Sequence, residues 1–496
     1  MQFNSIQFAI FLPIFFFIYW VVCKQNTKIQ NLLLLVASYM FYGWWDWRLL
    51  FLLGFISTKS YFSARLISSL SNELNKRLVL LIAIITDIGV LIYFKYFNFF
   101  IGSLNDFFCK LGYKIPLNTL KIILPIGISF YIFLSISYLI DTKKEKIVAE
   151  RNLINVLLSL SFFPIVLAGP IHRPAWLLPQ LKKNREFQST LAVDGLKQVL
   201  WGFFTKLVIA DNIAEIIQPA FDNYQLFNGS TLFLFALLFS VQIYADFSGY
   251  SHIAIGVSKL FGFKIIQNFQ YPYFSRDITV FWKKWHMSLT MWFRDYVFIP
   301  IAYAISKKLK KEKYGWIDAN LLIYSVAIAV TWALTGLWHG ANNTFIVWGF
   351  IHATFLIIYK SFRKTRKIML RVINVKNKNN VLIFFETIFT INIIVFSWIF
   401  FRSESIKHAC GYIAHIFSST LLTLPYFQGS GKTIYIFILI VFLFLIEWKG
   451  RINTFAIEKI GSNWPRIFRW SFYSVLVFFI GMYMQTNETP FIYLQF

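Results

Sequence analysis

DANLLIYSVAIAVTWALTGLWHGANNTFIVWGFIHATFLIIY, residues 318–359, sets two apolar runs, 318–337 and 343–359, on either side of Trp338-His339-Gly340-Ala341. Crossing roughly 30 Å of hydrocarbon takes about 20 mostly apolar residues, so both runs read as membrane helices. The imidazole between them is a costly group at membrane depth, and such groups usually face a cavity or a pathway. A second histidine, His286 in Trp285-His286-Met287-Ser288, lies 339 − 286 = 53 residues upstream in another aromatic-rich stretch. The pair points to acid/base chemistry inside a membrane.

The rest of the chain agrees with that medium. Its 496 residues are 57% hydrophobic and 20% aromatic, above the roughly 45–50% apolar share of soluble domains. Further runs lie near 6–22, 31–56, 78–101, 122–140, 153–170, 194–211, 232–258, 381–401, 433–447 and 468–484. The expected fold is all-α and polytopic, in one membrane domain over residues 1–496. The first run lacks a small-residue cleavage site, so it is expected to be kept as a span. The net charge of +26 comes from 48 Lys+Arg against 22 Asp+Glu. These cations cluster between apolar runs, as in cytoplasmic loops, and no basic stretch is long enough for a nucleic-acid-binding fold. Cys23, Cys109 and Cys410 are too scattered for a disulfide framework or a zinc site.

Charge also orients the chain. Lys307-Lys308-Leu309-Lys310-Lys311-Glu312-Lys313 and the basic stretch from Lys360 to Lys378 are assigned to the cytoplasm by the positive-inside rule. Two runs separate them, so the His339 turn is expected towards the outer side. Connections such as 218–223 and 485–490 carry little positive charge and read as outward-facing. In 278–296, helical periodicity gathers Phe281, Trp282, Trp285, Leu289, Trp292, Phe293 and Tyr296 on one face. Lys283, Lys284, Arg294 and Asp295 fall opposite, with His286 at the edge of the aromatic arc. One amphipathic helix at the cytoplasmic interface is expected there. Pro125-Ile126-Gly127, Pro164, Gly169-Pro170 and Pro174 predict broken helices around an enclosed space.

An imidazole near its ordinary pKa can take a hydroxyl proton at physiological pH. No Gly-x-Ser-x-Gly occurs, so direct transfer is favoured over a serine intermediate. Haem ligation by His339 and His352, 13 residues apart, is disfavoured because Gly340-Ala341-Asn342-Asn343 should break the helix between them. No His-Glu-x-x-His or close His/Cys cluster suggests zinc, and Gly429-Ser430-Gly431-Lys432-Thr433 lacks the upstream glycine of a phosphate loop. Asp246 is expected first as a helix-to-helix polar partner and second as an aid to a histidine or to donor binding. Arg276 with Asp277, and Arg294 with Asp295, read as local ion pairs.

The chain resembles the membrane-bound O-acyltransferases, in particular the bacterial branch of alginate O-acetylation proteins, peptidoglycan O-acetyltransferases and teichoic-acid D-alanylation proteins. The resemblance rests on Leu124-Pro125-Ile126-Gly127-Ile128-Ser129-Phe130-Tyr131, Phe162-Phe163-Pro164, Ala168-Gly169-Pro170-Ile171, Gln242-Ile243-Tyr244 and Asp246-Phe247-Ser248-Gly249-Tyr250-Ser251. It continues through Phe281-Trp282, Trp285-His286-Met287-Ser288-Leu289, Trp292-Phe293-Arg294-Asp295-Tyr296, Gly336-Leu337-Trp338-His339-Gly340-Ala341, Phe400-Phe401-Arg402-Ser403-Glu404-Ser405 and the ending Pro490-Phe491-Ile492-Tyr493-Leu494-Gln495-Phe496.

It implies a ring of about 11–13 membrane helices, with re-entrant and interfacial helices, around a central channel. His339 would be the principal catalytic histidine and His286 the second. Trp285, Trp338, Asp246, Ser288 and Asn342 form the expected substrate-contacting set. No bound cofactor or metal is expected; acetyl-CoA or another acyl thioester would be the donor, on the cytoplasmic side of a bacterial inner membrane. The acceptor would be a hydroxyl of an envelope glycan, reached directly or through an extracytoplasmic acetyltransferase partner. D-alanyl transfer to teichoic acid and a conduit for acyl groups without chemistry are the alternatives. His252 and Leu134 depart from the family pattern, which puts polar roles at those two positions in question.

Overall fold

The computed structural model describes residues 1–23, 26–113, 119–120, 122–315, 317–372, 379–427, 434–485 and 491–492, with the backbone alone at 364, 367 and 370. The Gly429–Thr433 string, residues 373–378 of the second basic stretch, the 486–490 connection and all of the ending except Phe491 and Ile492 lie outside them. Among the described residues the only strands are Lys313–Tyr314 and Ile317–Asp318, an antiparallel pair within the first basic cluster. The remaining regular structure of these residues is helical, and among the described residues five helices are long and apolar enough to cross a membrane: Glu73–Lys110, Gly229–Leu260, Ala319–His339, Asn343–Arg363 and Asn380–Arg402. A sixth apolar helix, Ile6–Val22, is shorter. The all-α, polytopic expectation holds.

The described residues form two compact units: Met1–Phe203 with Tyr250–Ile266, Phe491 and Ile492, and Phe204–Gly249 with residues 267–485. In the first, Lys59 on Leu49–Ser69 meets Asp87 on Glu73–Leu91 at 2.7 Å, and Ser135 of Ile128–Lys143 donates to the same carboxylate at 2.7 Å. Ser60 lies 2.6 Å from Ser135, so one buried polar cluster fixes the register of three helices. The prolines act as expected. Helix Ile128–Lys143 begins only after Gly127, and Leu153–Ser161 stops before Phe162, leaving a buried non-helical stretch through Pro170. A side chain at Gly127, whose φ is +76°, would lie 2.5 Å from the Val166 carbonyl. At the two departures from the family pattern, Leu134 is a core residue and the His252 ring Nδ1 lies 3.1 Å from the Gln198 amide.

In the second unit, the first basic cluster becomes a hairpin between Ile299–Lys308 and Ala319–His339, where Tyr314 Oη accepts from the amides of Lys310 and Lys311. Asp318 caps the following helix by accepting from Asn320 and Leu321. That helix and Asn343–Val372 run backbone against backbone. A methyl group at Gly336 would sit 2.3 Å from the Phe345 carbonyl oxygen, and one at Gly349 would sit 2.3 Å from that of Trp332.

The segment expected as one amphipathic helix is two. Ile278–Lys284 ends at Trp285, His286 takes a left-handed conformation with φ +43°, and Met287–Phe293 starts after it. The single-helix reading fails because the break comes from a long-range contact, not from a proline or glycine.

Gly336→Val should destabilise the protein by about 1–3 kcal/mol through overpacking of this helix pair, read as a lowered unfolding midpoint in detergent. Asp87→Ala strands the Lys59 ammonium and should cost about 3–5 kcal/mol, whereas Lys59→Met with Asp87→Leu should recover most of that loss. The same melting measurement checks both variants.

Candidate active site

His339 is the last residue of Ala319–His339. The backbone extends at Gly340, and Asn342 Oδ1 accepts from Thr344 N at 3.0 Å to start the next helix. Asn342 also donates through Nδ2 to the Glu404 carbonyl at 2.8 Å, anchoring the turn to the corner after Asn380–Arg402. The imidazole is 6% exposed. Trp338, Trp348 and Phe401 stand around it edge-to-face, with ring centroids 4.9, 5.0 and 5.1 Å away.

His286 is held by a different device. Its Nδ1 lies 3.0 Å from Asn268 Oδ1, and Ser288 donates to the same oxygen through Oγ at 2.9 Å and through its backbone amide at 3.3 Å. Two backbone bonds tie the strands of this turn together: Met287 N to the Asn268 carbonyl at 2.8 Å, and Gln270 N to the Lys284 carbonyl at 3.0 Å. Phe247 packs edge-on to the ring at 4.6 Å. The side chain is 1% exposed. Burial pushes its pKa well below the ordinary histidine value.

Both histidines line one cavity of about 470 Å³. Trp282, Trp285, Thr331, Trp332, Thr335 and Leu356 share its wall with them. Lys283 and Arg294 also border it and are solvent-exposed, which marks the open, cationic rim. Trp338 bridges the two catalytic candidates from behind the wall, 6.0 Å from His286 and 4.9 Å from His339 between centroids. The arrangement is a mostly apolar chamber lined by two buried imidazoles and bordered by two exposed cations.

His352 is fully buried, boxed by Trp282, Trp332 and Trp348 at 4.7, 5.1 and 4.9 Å. Trp348 therefore touches both His339 and His352.

Of the seven residues expected at the site, His339, His286 and Trp285 line the cavity and Trp338 touches both imidazoles. Ser288 shares with His286 an acceptor, Asn268 Oδ1. Asn342 shapes the turn after His339. Asp246 is elsewhere: it and Asp211 flank the buried Lys206 ammonium at 2.5 and 2.7 Å, the structural role expected first for it. Arg294 does pair with Asp295, at 2.8 Å, but it also lines the cavity, which the local ion-pair reading missed. Arg276 and Asp277 have partners that the local ion-pair reading did not name. Arg276 turns to Glu386 at 3.2 Å, and Asp277 caps Val280 and accepts from the Tyr359 hydroxyl. Asn268, Trp332 and the two threonines were not singled out from the sequence. A buried amide 18 residues before His286 carries no local motif.

With this geometry in view, comparison with known proteins is informative. Residues 32–402 match the pattern of the membrane-bound O-acyltransferase family. The chain is 36% identical over 420 residues to "Probable alginate O-acetylase AlgI" of Pseudomonas putida, covering 84% of this chain and 80% of that one. It is 30% identical over 428 residues to "Peptidoglycan O-acetyltransferase" of Helicobacter pylori, covering 80% and 76%. A shorter match, 30% over 247 residues, joins it to "Teichoic acid D-alanyltransferase" of Bacillus subtilis, covering 49% and 60%. The chain belongs to the membrane-bound O-acyltransferase family and is a multi-pass membrane acyltransferase.

Proposed function

We propose that the protein transfers an acetyl group from a cytoplasmic thioester, acetyl-CoA in the simplest case, to a hydroxyl of an envelope glycan outside a bacterial inner membrane. One observation carries the reading: two buried imidazoles share the wall of a chamber whose rim is cationic. A thioester donor with an anionic handle fits that polarity, its phosphates at Lys283 and Arg294 and its acyl carbon near the histidines. The relatives named for alginate and peptidoglycan acetylation favour acetyl as the group and a glycan as the acceptor.

In the proposed reaction His339 takes the acceptor hydroxyl proton as the oxygen attacks the thioester carbonyl. The tetrahedral intermediate then collapses, the C–S bond breaks, and the leaving thiolate takes up a proton. His286 assists the proton's movement or acts on the donor. A positioned general base contributes about 10²–10⁴-fold in rate. Where the acceptor is a partner protein that later delivers the acetyl group, the same bond changes apply to its hydroxyl.

Mass spectrometry of envelope glycans from cells carrying the unaltered protein or His339→Ala at matched expression tests the mechanism. O-acetylation should fall at least about 10²-fold. Unchanged ester content would leave a conduit without chemistry, and loss of D-alanyl ester instead of acetyl would reassign the group. Separately, Arg294→Gln should raise the KM for acetyl-CoA about tenfold with kcat nearly unchanged, measured on isolated membranes. An unaltered KM would remove Arg294 from donor binding.

A further inference from the structure

We propose that Asn268 is the positioning residue for His286 and fixes it in the tautomer with hydrogen on Nδ1, so that His286 meets its substrate as a hydrogen-bond and proton acceptor through Nε2. The inference rests on the reading of His286 as the second catalytic histidine, and it decides between the two roles left open for it.

The backbone settles the identity of one side-chain atom of Asn268. A peptide N–H can only donate. The Ser288 amide points at one atom of the Asn268 side-chain amide at 3.3 Å, so that atom is the carbonyl oxygen and not the nitrogen. The same oxygen lies 3.0 Å from His286 Nδ1. Oxygen of this kind has only lone pairs to offer, so Nδ1 must carry the hydrogen, and in a neutral imidazole Nε2 then carries the lone pair. Rotating the Asn268 amide would set an NH₂ group against the Ser288 amide, and the Ser288 hydroxyl, 2.9 Å from that oxygen, would lose its acceptor. Asn268 is itself fully buried, and its carbonyl receives Met287 N at 2.8 Å, so the acceptor stands on a fixed backbone.

The consequence is chemical. Polarising a thioester carbonyl requires a donor N–H aimed at the oxygen, which this tautomer does not present at Nε2. Accepting a proton, or a hydrogen bond from a hydroxyl, requires the lone pair that it does present. His286 therefore acts on the proton side of the reaction.

The primary test reads the tautomer without using activity. Solid-state NMR on the full-length protein in lipid, labelled with ¹³C,¹⁵N-histidine, is compared with His286→Gln to assign the signal. The non-protonated nitrogen of His286 should correlate with Cδ2, which marks Nε2; correlation with Cγ would mark Nδ1 and overturn the assignment. On membranes supplied with acetyl-CoA, Asn268→Ala should lower kcat about 10²-fold at little change in KM. Asn268→Asp, which keeps an acceptor oxygen there, should retain far more activity. A wild-type kcat in Asn268→Ala would refute the positioning role even if the tautomer stands. Should the unaltered protein show no acetyl transfer at all, the proposed function fails while the NMR result still decides the tautomer.

Discussion

Backbone-to-backbone contact between Ala319–His339 and Asn343–Val372 is the constraint on which the site depends. Two helices can approach this closely only where side chains are absent from the seam, and Gly336 and Gly349 supply those gaps from opposite partners. The contact fixes where the first helix may end. His339 is the residue at that end, so the placement of its imidazole follows from the seam instead of from a flexible loop. Trp348, one residue before Gly349, is carried by the same contact to the face of the imidazole.

His286 shows a contrasting solution. Its backbone adopts a left-handed conformation that non-glycine residues seldom take, a state that costs of order 1–3 kcal/mol and persists where the surroundings over-determine it. Here the surroundings are the Asn268 amide, its carbonyl and the paired 270–284 backbone. One histidine is thus placed by helix packing and the other by a hydrogen-bonded turn, and the two devices converge on a single chamber.

Much of this was legible in the sequence because lipid imposes simple rules. Run length announces a membrane helix, and an imidazole between apolar runs stands out against it; charge clusters were a weaker guide, since Lys360, Arg363, Arg366 and Arg371 continue helix Asn343–Val372 past its apolar part. Pro125, Pro164 and Pro170 broke helices as their missing N–H requires. What stayed hidden depends on contacts between distant residues. Nothing local to Trp285-His286 marks a helix break, so periodicity carried the helix straight through it. Arg294 has an acidic neighbour in sequence, which concealed its second role at the cavity rim. Asp246 was ambiguous because a lone carboxylate in an apolar run looks the same whether it serves a substrate or, as here, a buried lysine on another helix.

The Lys59–Asp87 pair also bears on how the chain enters its membrane. Asp87 lies within the 38-residue helix Glu73–Lys110, long and apolar enough to cross a membrane, where only 11% of the most apolar window is buried against the rest of the chain. Inserted alone, it would carry an unneutralised carboxylate, a penalty of about 2.5–3.5 kcal/mol at the centre of a span. Its counter-ion sits on the preceding helix, across a short connection from Leu70 to Asn72. Biogenesis is therefore easiest if Leu49–Ser69 and Glu73–Lys110 leave the insertion machinery together as a hairpin, already paired. The salt bridge then works as an assembly instruction before it works as a fold contact.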